Sequence, residues 1–364
     1  MAVVDDGSDE ELPGEVEAIE RAFGATNRRR ILADYFTTAG EVDAGNSWQH
    51  VYRLLLWINP TIGLAHCYES DKCQPHKAWY SRSLAFHQWV ANQLGVGPLR
   101  LREEIDHLFR AALPALAKVE TEQRRIAAAR HLGRYGPGTM PMPGDDLDLL
   151  DIISSVLNIE QPLDSSESRQ LVERIYTHFA RENKRKNLLG RGFEDTLAAI
   201  IARLPGDSEW VVRTRVPLPD IPGFLAPSQQ AKQPEVDLAL WEPKPQGRRI
   251  LVSAKWSVRA DRERQFDSDF EDYIRSSGGG VFDYILVTNE FDAARLDAAC
   301  SRVHGRDHLF SSVVHVQPQG VLVAYGDQEQ PEPATLRGKA ARLPVHAEDG
   351  RLISLEQWLT QLLA

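Results

Sequence analysis

The sequence predicts an α/β protein with a mixed central sheet flanked by helices, preceded by a mostly helical N-terminal region. Three observations carry this. From residue 193 onward, short apolar runs rich in β-branched residues alternate with stretches of helical period, in the order α-β-β-β-α-β-α-β. Before residue 135, apolar residues recur at helical spacing almost throughout. Between the two regions, residues 135–146 contain Gly-Pro-Gly and Met-Pro-Met-Pro-Gly, a run that punctuates a chain instead of folding.

Taken in order, residues 1–13 are an acidic tail with Gly and Pro, a composition that predicts disorder. A helical domain is expected over 14–146. Its amphipathic patterns are Ala18, Ile19, Ala22 and Phe23; then Trp48, Val51, Tyr52 and Leu54 to Leu56; then Leu84, Trp89, Val90 and Leu94; then Ile105, Leu108, Phe109 and Ala112. Residues 121–132 are rich in Ala, Arg and Glu, all good helix formers. Trp48, Trp57 and Trp89 read as helical core.

A second domain is expected over 147–364. Residues 147–158 have helical period. Ser165 to Ser168 can cap a helix carrying Leu171, Ile175 and Phe179. The basic run 181–187, with Lys184, Arg185 and Lys186, suits either a solvated helix end or a phosphate contact beside a cleft. A helix over 193–204 follows, with Glu194 in its first turn. Strands are expected over 210–216, 236–241, 249–258, 284–288 and 313–317. Helices are expected from Phe266, Phe270 and Ile274, over 291–303 and over 354–363. Gly278 to Gly280 precede a strand and so fail the context of a phosphate-binding loop.

Composition narrows the function classes. With 364 residues, 42% hydrophobic and 26% charged, the chain is an ordinary globular protein of one large or two ordinary domains. A net charge of −10 argues against indiscriminate coating of nucleic acid but leaves room for a locally basic cleft. The acidic start lacks a signal-peptide core and no apolar run reaches membrane-spanning length, so a cytoplasmic protein with no membrane partner is expected. Cys67, Cys73 and Cys300 are few and odd in number, which suits a reducing compartment. His66, Cys67, Cys73 and His76 lack finger spacing, and a plain loop is the better reading than zinc.

The chemistry gathers in residues 250–271. Ile250, Leu251 and Val252 open a buried strand, and Lys255 lies near its end. A buried ammonium there costs several kcal/mol unless paired, roughly as any buried ion does. Asp237, near the start of the preceding strand, can meet Lys255 across an antiparallel pair. A carboxylate and an amine converging with further acids have the composition of a Mg²⁺ site for phosphodiester cleavage. The plainer reading is a strand-end salt bridge. Ser253 brings no charge, so a second carboxylate must come from elsewhere, and the following helix offers Asp267, Asp269 and Glu271. Arg259, Asp261 and Arg262 are able to read two neighbouring C·G pairs in the major groove, since arginine grips guanine O6 and N7 and aspartate accepts from cytosine N4. Their plainer reading is an N-cap and a solvated charged face. Trp256, His304, His308 and His315 read as structural.

The run from Ser253 through Lys255 to Arg259-Ala-Asp261-Arg262 resembles the active-site and recognition segment of the CCGG family of type II restriction endonucleases, within the PD-(D/E)XK nuclease superfamily. The resemblance implies a PD-(D/E)XK core with Asp237 as metal ligand, Lys255 as catalytic lysine, Glu194 as the upstream acid, and Arg259, Asp261 and Arg262 as base readers. It implies a displaced acid thirteen or fourteen positions after the lysine, usually Glu. Asp269 stands at fourteen, and Glu271, two further on, is its rival. It implies Mg²⁺-dependent cleavage of double-stranded DNA at a palindrome containing CCGG or interrupted CC/GG, by a homodimer or homotetramer. The alternatives are a repair or structure-selective nuclease of the same fold, and an inactive DNA-binding module, the latter suggested by Ser253. The close match spans about ten residues, and the looser order of elements roughly 190–320.

Overall fold

The computed structural model describes residues 22–58, 73–131, 165–206, 210–225, 233–244, 247–258, 263–326 and 336–364. The tail 1–13, the boundary at 135–146, the predicted helix 147–158, His66, Cys67, Arg259, Asp261 and Arg262 lie outside the described residues. The chain divides into two compact units, one of Met1–Arg30 with Ala111–Leu188, the other of Ile31–Arg110 with Leu189–Ala364.

The helices of the N-terminal half are α1 (Ala25–Thr38), α2 (Ser47–Leu55), α3 (Ala78–Gln93), the single turn α4 (Leu101–Glu104) and α5 (His107–His131), followed by α6 (Ser165–Ile201). The first unit comprises the start of α1, the later part of α5 and the part of α6 up to Leu188. In it Ala112, Leu116 and Leu188 are buried, and so is Arg185, at 2% exposure.

Helix α6 corrects the sequence reading. It is one continuous element of 37 residues, where two were expected. The basic run is therefore interior to a helix and not its end, and Glu194 lies well past the first turn. Gly190 and Gly192 do not break it. A Cβ at Gly192 would stand 2.5 Å from Leu108 Cδ2, so a larger residue there would require that leucine side chain to shift.

The second unit holds the sheet. Its strands are β1 (Val211–Pro217), β2 (Glu235–Trp241), β3 (Arg249–Lys255), β4 (Asp283–Thr288), β7 (Ser312–His315) and β8 (Leu352–Ser354), in the order β1-β2-β3-β4-β7-β8. A separate two-stranded ribbon pairs β5 (Val303–His304) with β6 (Asp307–His308). β1, β2 and β3 are mutually antiparallel, whereas β3, β4, β7 and β8 run parallel. The sheet is therefore mixed, as expected.

Parallel neighbours need crossovers, and helices supply them: α7 (Glu263–Ser276) between β3 and β4, α8 (Ala293–Ser301) between β4 and β7, and α9 (Pro318–Tyr325) with α10 (Leu343–Glu348) between β7 and β8. The central strands are covered on both faces. Ile250 to Ala254 are all buried in succession, which explains why β3 reads as a continuous apolar run and not as an alternation. The closing helix α11 (Leu355–Leu363) starts with a capping box between Ser354 and Gln357.

Helices α2 and α3 pack within this same unit onto the end of β4. Tyr52 donates to Asn289 Oδ1 at 3.1 Å. Phe291 meets Phe86 and Trp79 edge-on, at ring separations of 5.6 and 5.3 Å. Arg82 lies 4.1 Å over the Tyr325 ring on α9. Trp48 and Trp89 are buried on α2 and α3, as expected of helical core, whereas Trp57 is buried beyond the end of α2 and not on a helix.

Candidate active site

The register of β2 and β3 builds the site. Leu238 faces Val252, so Asp237 comes beside the last residues of β3. Its Oδ2 accepts from the Ala254 backbone N–H at 2.9 Å and more weakly from the Ser253 hydroxyl at 3.4 Å. Lys255, the final residue of β3, brings its amine to the same oxygen at 2.7 Å. The carboxylate and the amine that the sequence placed on neighbouring strands are thus joined. Burial alone would lower Lys255, but Asp237, and behind it Glu194 and Asp269, overcome this and hold the amine above its ordinary value.

Asp269 comes from α7 and is half-buried, with an oxygen accepting from the Gln265 side chain at 2.9 Å. Burial, together with the charge of Asp237, raises its carboxyl, while Gln265 and Lys255 oppose the rise. Glu271 is exposed. Asp267 is occupied by Arg302, which donates to both its oxygens at 3.1 and 2.6 Å. Of the three acids in this stretch, Asp269 is the one in the field of Asp237 and Lys255.

Glu194 arrives from α6 and is buried at 7% exposure. Burial, then the Asp237 charge, push its carboxyl up to about 7, against the opposing pull of Arg215 and Lys255. Arg215 is a residue the sequence reading missed. Its guanidinium donates to Glu194 Oε2 and to Asp195 Oδ1, each at 2.5 Å. It does so from a left-handed backbone, φ 49°, inside β1, a conformation that costs an L-residue roughly 1–2 kcal/mol. Arg215 and Asp195 were invisible in the sequence because a strand arginine and a second helical acid are both commonplace. Only the tertiary meeting of β1 with α6 sets them apart.

The other singled-out residues fall elsewhere. Arg185 is buried in the first unit, and Lys184 and Lys186 lie on the same stretch of α6. Trp256 is buried, edge-on to Phe193 at 5.4 Å, and packs as expected. His315 is fully buried and lowered to about 4 by that burial. Its Nδ1 accepts from the Gln317 N–H and its Nε2 faces the Glu290 carbonyl, so it is a neutral structural ring. Cys73 is buried and His76 exposed.

The backbone just beyond Lys255 is pinned by a buried carboxylate. Glu290 Oε2 accepts from the Val258 N–H at 2.6 Å and the Ser257 hydroxyl at 2.9 Å, and its Oε1 from the Asp292 N–H at 2.7 Å.

Among the described residues, no group of three or more His, Cys, Asp and Glu side chains draws close enough to make a ready metal cage. The chemistry of the donors nonetheless fits Mg²⁺, which takes one or two carboxylates, keeps several waters and completes its shell from phosphate. Asp237 and Asp269 are hard oxygen donors, the first in contact with the Lys255 amine and the second within its field. With every group ionised, the carboxylates of Glu194, Asp195, Asp237 and Asp269 exceed the cations Arg215 and Lys255 by two charges, the charge of one divalent ion.

No known protein family and no curated protein sequence matches the chain. Among solved structures, it is similar to one described as a restriction endonuclease PspGI-substrate DNA complex. The identity is 10%, the coverage 99% of this chain and 98% of that one, and the TM-score 0.36. A likeness of that degree fixes neither a fold family nor an activity. No helix among the described residues is long and apolar enough to cross a membrane.

Proposed function

We propose that this chain is a Mg²⁺-dependent endonuclease of the PD-(D/E)XK type that cuts double-stranded DNA at a specific site. The observation that carries the reading is the contact of Lys255 with Asp237 at the ends of adjacent strands, with Asp269 and Glu194 in the field of the same amine. Asp237 and Asp269 would hold the cation. When bound, Mg²⁺ supplies Lewis-acid polarisation of the scissile phosphate and lowers the pKa of an attacking water. Lys255 orients that water and balances charge on the developing phosphorane. Glu194, its carboxyl pushed up to about 7 by burial, is able to hold or release a proton near neutral pH.

The finer reading is a type II restriction endonuclease for a palindrome containing CCGG or interrupted CC/GG, acting as a homodimer or homotetramer. It rests on the resemblance of Arg259, Asp261 and Arg262 to base readers and on the complementarity of their side chains to C·G pairs. Asp269 beside Lys255 favours an active enzyme over an inert DNA-binding module, because it supplies the acid that Ser253 does not. Digestion of a plasmid of known sequence in Mg²⁺, with the cut ends mapped, tests the whole reading. Ends confined to one short C·G-rich palindrome are expected. Scattered ends would point to a structure-selective or repair nuclease, and uncut plasmid in both Mg²⁺ and Mn²⁺ would remove the enzyme.

A further inference from the structure

Arg215 is an anomaly that the proposed chemistry does not by itself require. Successive side chains of a strand point to opposite faces of the sheet, so only one of two neighbours ordinarily reaches a given helix. Here both do. The Thr214 hydroxyl lies 3.4 Å from Asp195 Oδ1, and the Arg215 guanidinium reaches Asp195 and Glu194. A left-handed φ of 49° at Arg215 accompanies this, while Thr214 and Val216 keep their pairing with Leu238 and Val236. A backbone conformation of this kind persists only where its surroundings enforce it, and such residues concentrate at functional sites.

The forked contact has a directional consequence. Arginine's planar guanidinium presents its donors in a fixed geometry, so it sets the orientation of a carboxylate as well as its charge. It takes Oε2 of Glu194 and leaves Oε1 with no hydrogen-bond partner among the described residues, in the field of Asp237 and Lys255. Asp195 holds the other arm of the fork and so fixes the guanidinium itself. Glu194 and Arg215 are both largely buried from solvent, at side-chain exposures of 10% and 26%.

We infer that Arg215 is a positioning residue of the active site, which acts through Glu194: the strained strand delivers a guanidinium, anchored on Asp195, that fixes the Glu194 carboxylate beside the Asp237–Lys255 pair. The inference rests on the reading of this site as a divalent-cation site. Lysine in place of Arg215 keeps the charge and loses the fork, so Arg215→Lys reads geometry alone.

The test is calorimetric titration of the full chain with Mn²⁺ and with Ca²⁺, for wild type, Arg215→Lys, Glu194→Gln and the double variant. Thermal midpoints and the kcat and KM for plasmid cleavage are measured alongside. Arg215→Lys should weaken divalent binding about tenfold and lower kcat with little change in KM for DNA. In the Glu194→Gln background the same substitution should cost nothing further, because its route of action is already gone. Two results overturn the inference: unchanged metal affinity and kcat with only the thermal midpoint lowered, or an equal loss of affinity in both backgrounds. A wild type that binds neither ion overturns instead the cation site on which the inference stands, so the two failures are told apart.

Discussion

Replacing Glu194 by glutamine should change how folding stability depends on pH, by an amount the structure sets. Burial, assisted by the Asp237 charge, lifts this carboxyl from 4.5 to about 7. Between those values the folded chain keeps a proton that the unfolded chain has released. Stability therefore falls as pH rises across that window and is level on either side of it. At about 1.4 kcal/mol for each pH unit, the fall amounts to about 3 kcal/mol, an upper bound because Asp237 and Arg215 respond to the same proton. Glutamine has nearly the same shape and no proton to release, so subtracting the variant from wild type isolates this one group. Urea unfolding at intervals from pH 4.5 to about 8 measures the difference. Wild type should lose ground to Glu194→Gln steadily up to about pH 7 and no more above it. Parallel curves would refute the reasoning. Wild type gaining on the variant would mean that the Arg215 ion pair outweighs burial, reversing the sign.

Other predictions follow from the same geometry. Lys255→Ala should abolish cleavage while leaving specific DNA binding largely intact, as read by gel shift in Ca²⁺; retained cutting would remove the lysine from the chemistry. Arg259→Ala or Arg262→Ala should cost about 1–3 kcal/mol of discrimination between the preferred site and single-pair variants. Equal weakening on every sequence would mean that these arginines touch phosphate alone. Gly320→Ala should destabilise the fold by about 1–3 kcal/mol despite alanine's helix preference. The new methyl would meet rigid rings, Phe86 Cε2 at 2.7 Å and Trp89 Cζ3 at 2.9 Å. A raised unfolding midpoint would show that the rings give way.

Much of the sheet was legible because β2, β3 and β4 are short apolar runs, nearer the usual length of a strand than of a helix. Asp237 and Lys255 were legible for the same reason, since a charge at the end of such a run is conspicuous. β8 was not, being three residues that hold together only through parallel pairing with β7. Helix α9 hid behind Pro318, which reads as a stop but is admissible in a first turn. The continuity of α6 was missed because glycines and a dense run of cations look like punctuation. At Gly192 the side chain of Leu108, far away in sequence, lies where a Cβ would be, which a local reading cannot see. Arg215 marks the limit of local reading, because its partners Glu194 and Asp195 lie on another element and nothing beside it in the chain points to them.

The hydrogen bond from Tyr52 to Asn289 carries a practical consequence for dissecting the protein. The Asn289 N–H is itself bonded to the Trp256 carbonyl, one residue past the proposed catalytic lysine. A fragment starting near residue 147 would keep every acid and base of the proposed chemistry, yet it would bare Phe291 and Gly320, now covered by Phe86, and remove the Tyr52 hydroxyl from Asn289. Such a fragment should be sticky and dull in the nuclease assay even with its catalytic groups complete. The early helices therefore support the fold around the proposed site, and a truncation that silences cleavage would say nothing about whether they touch DNA.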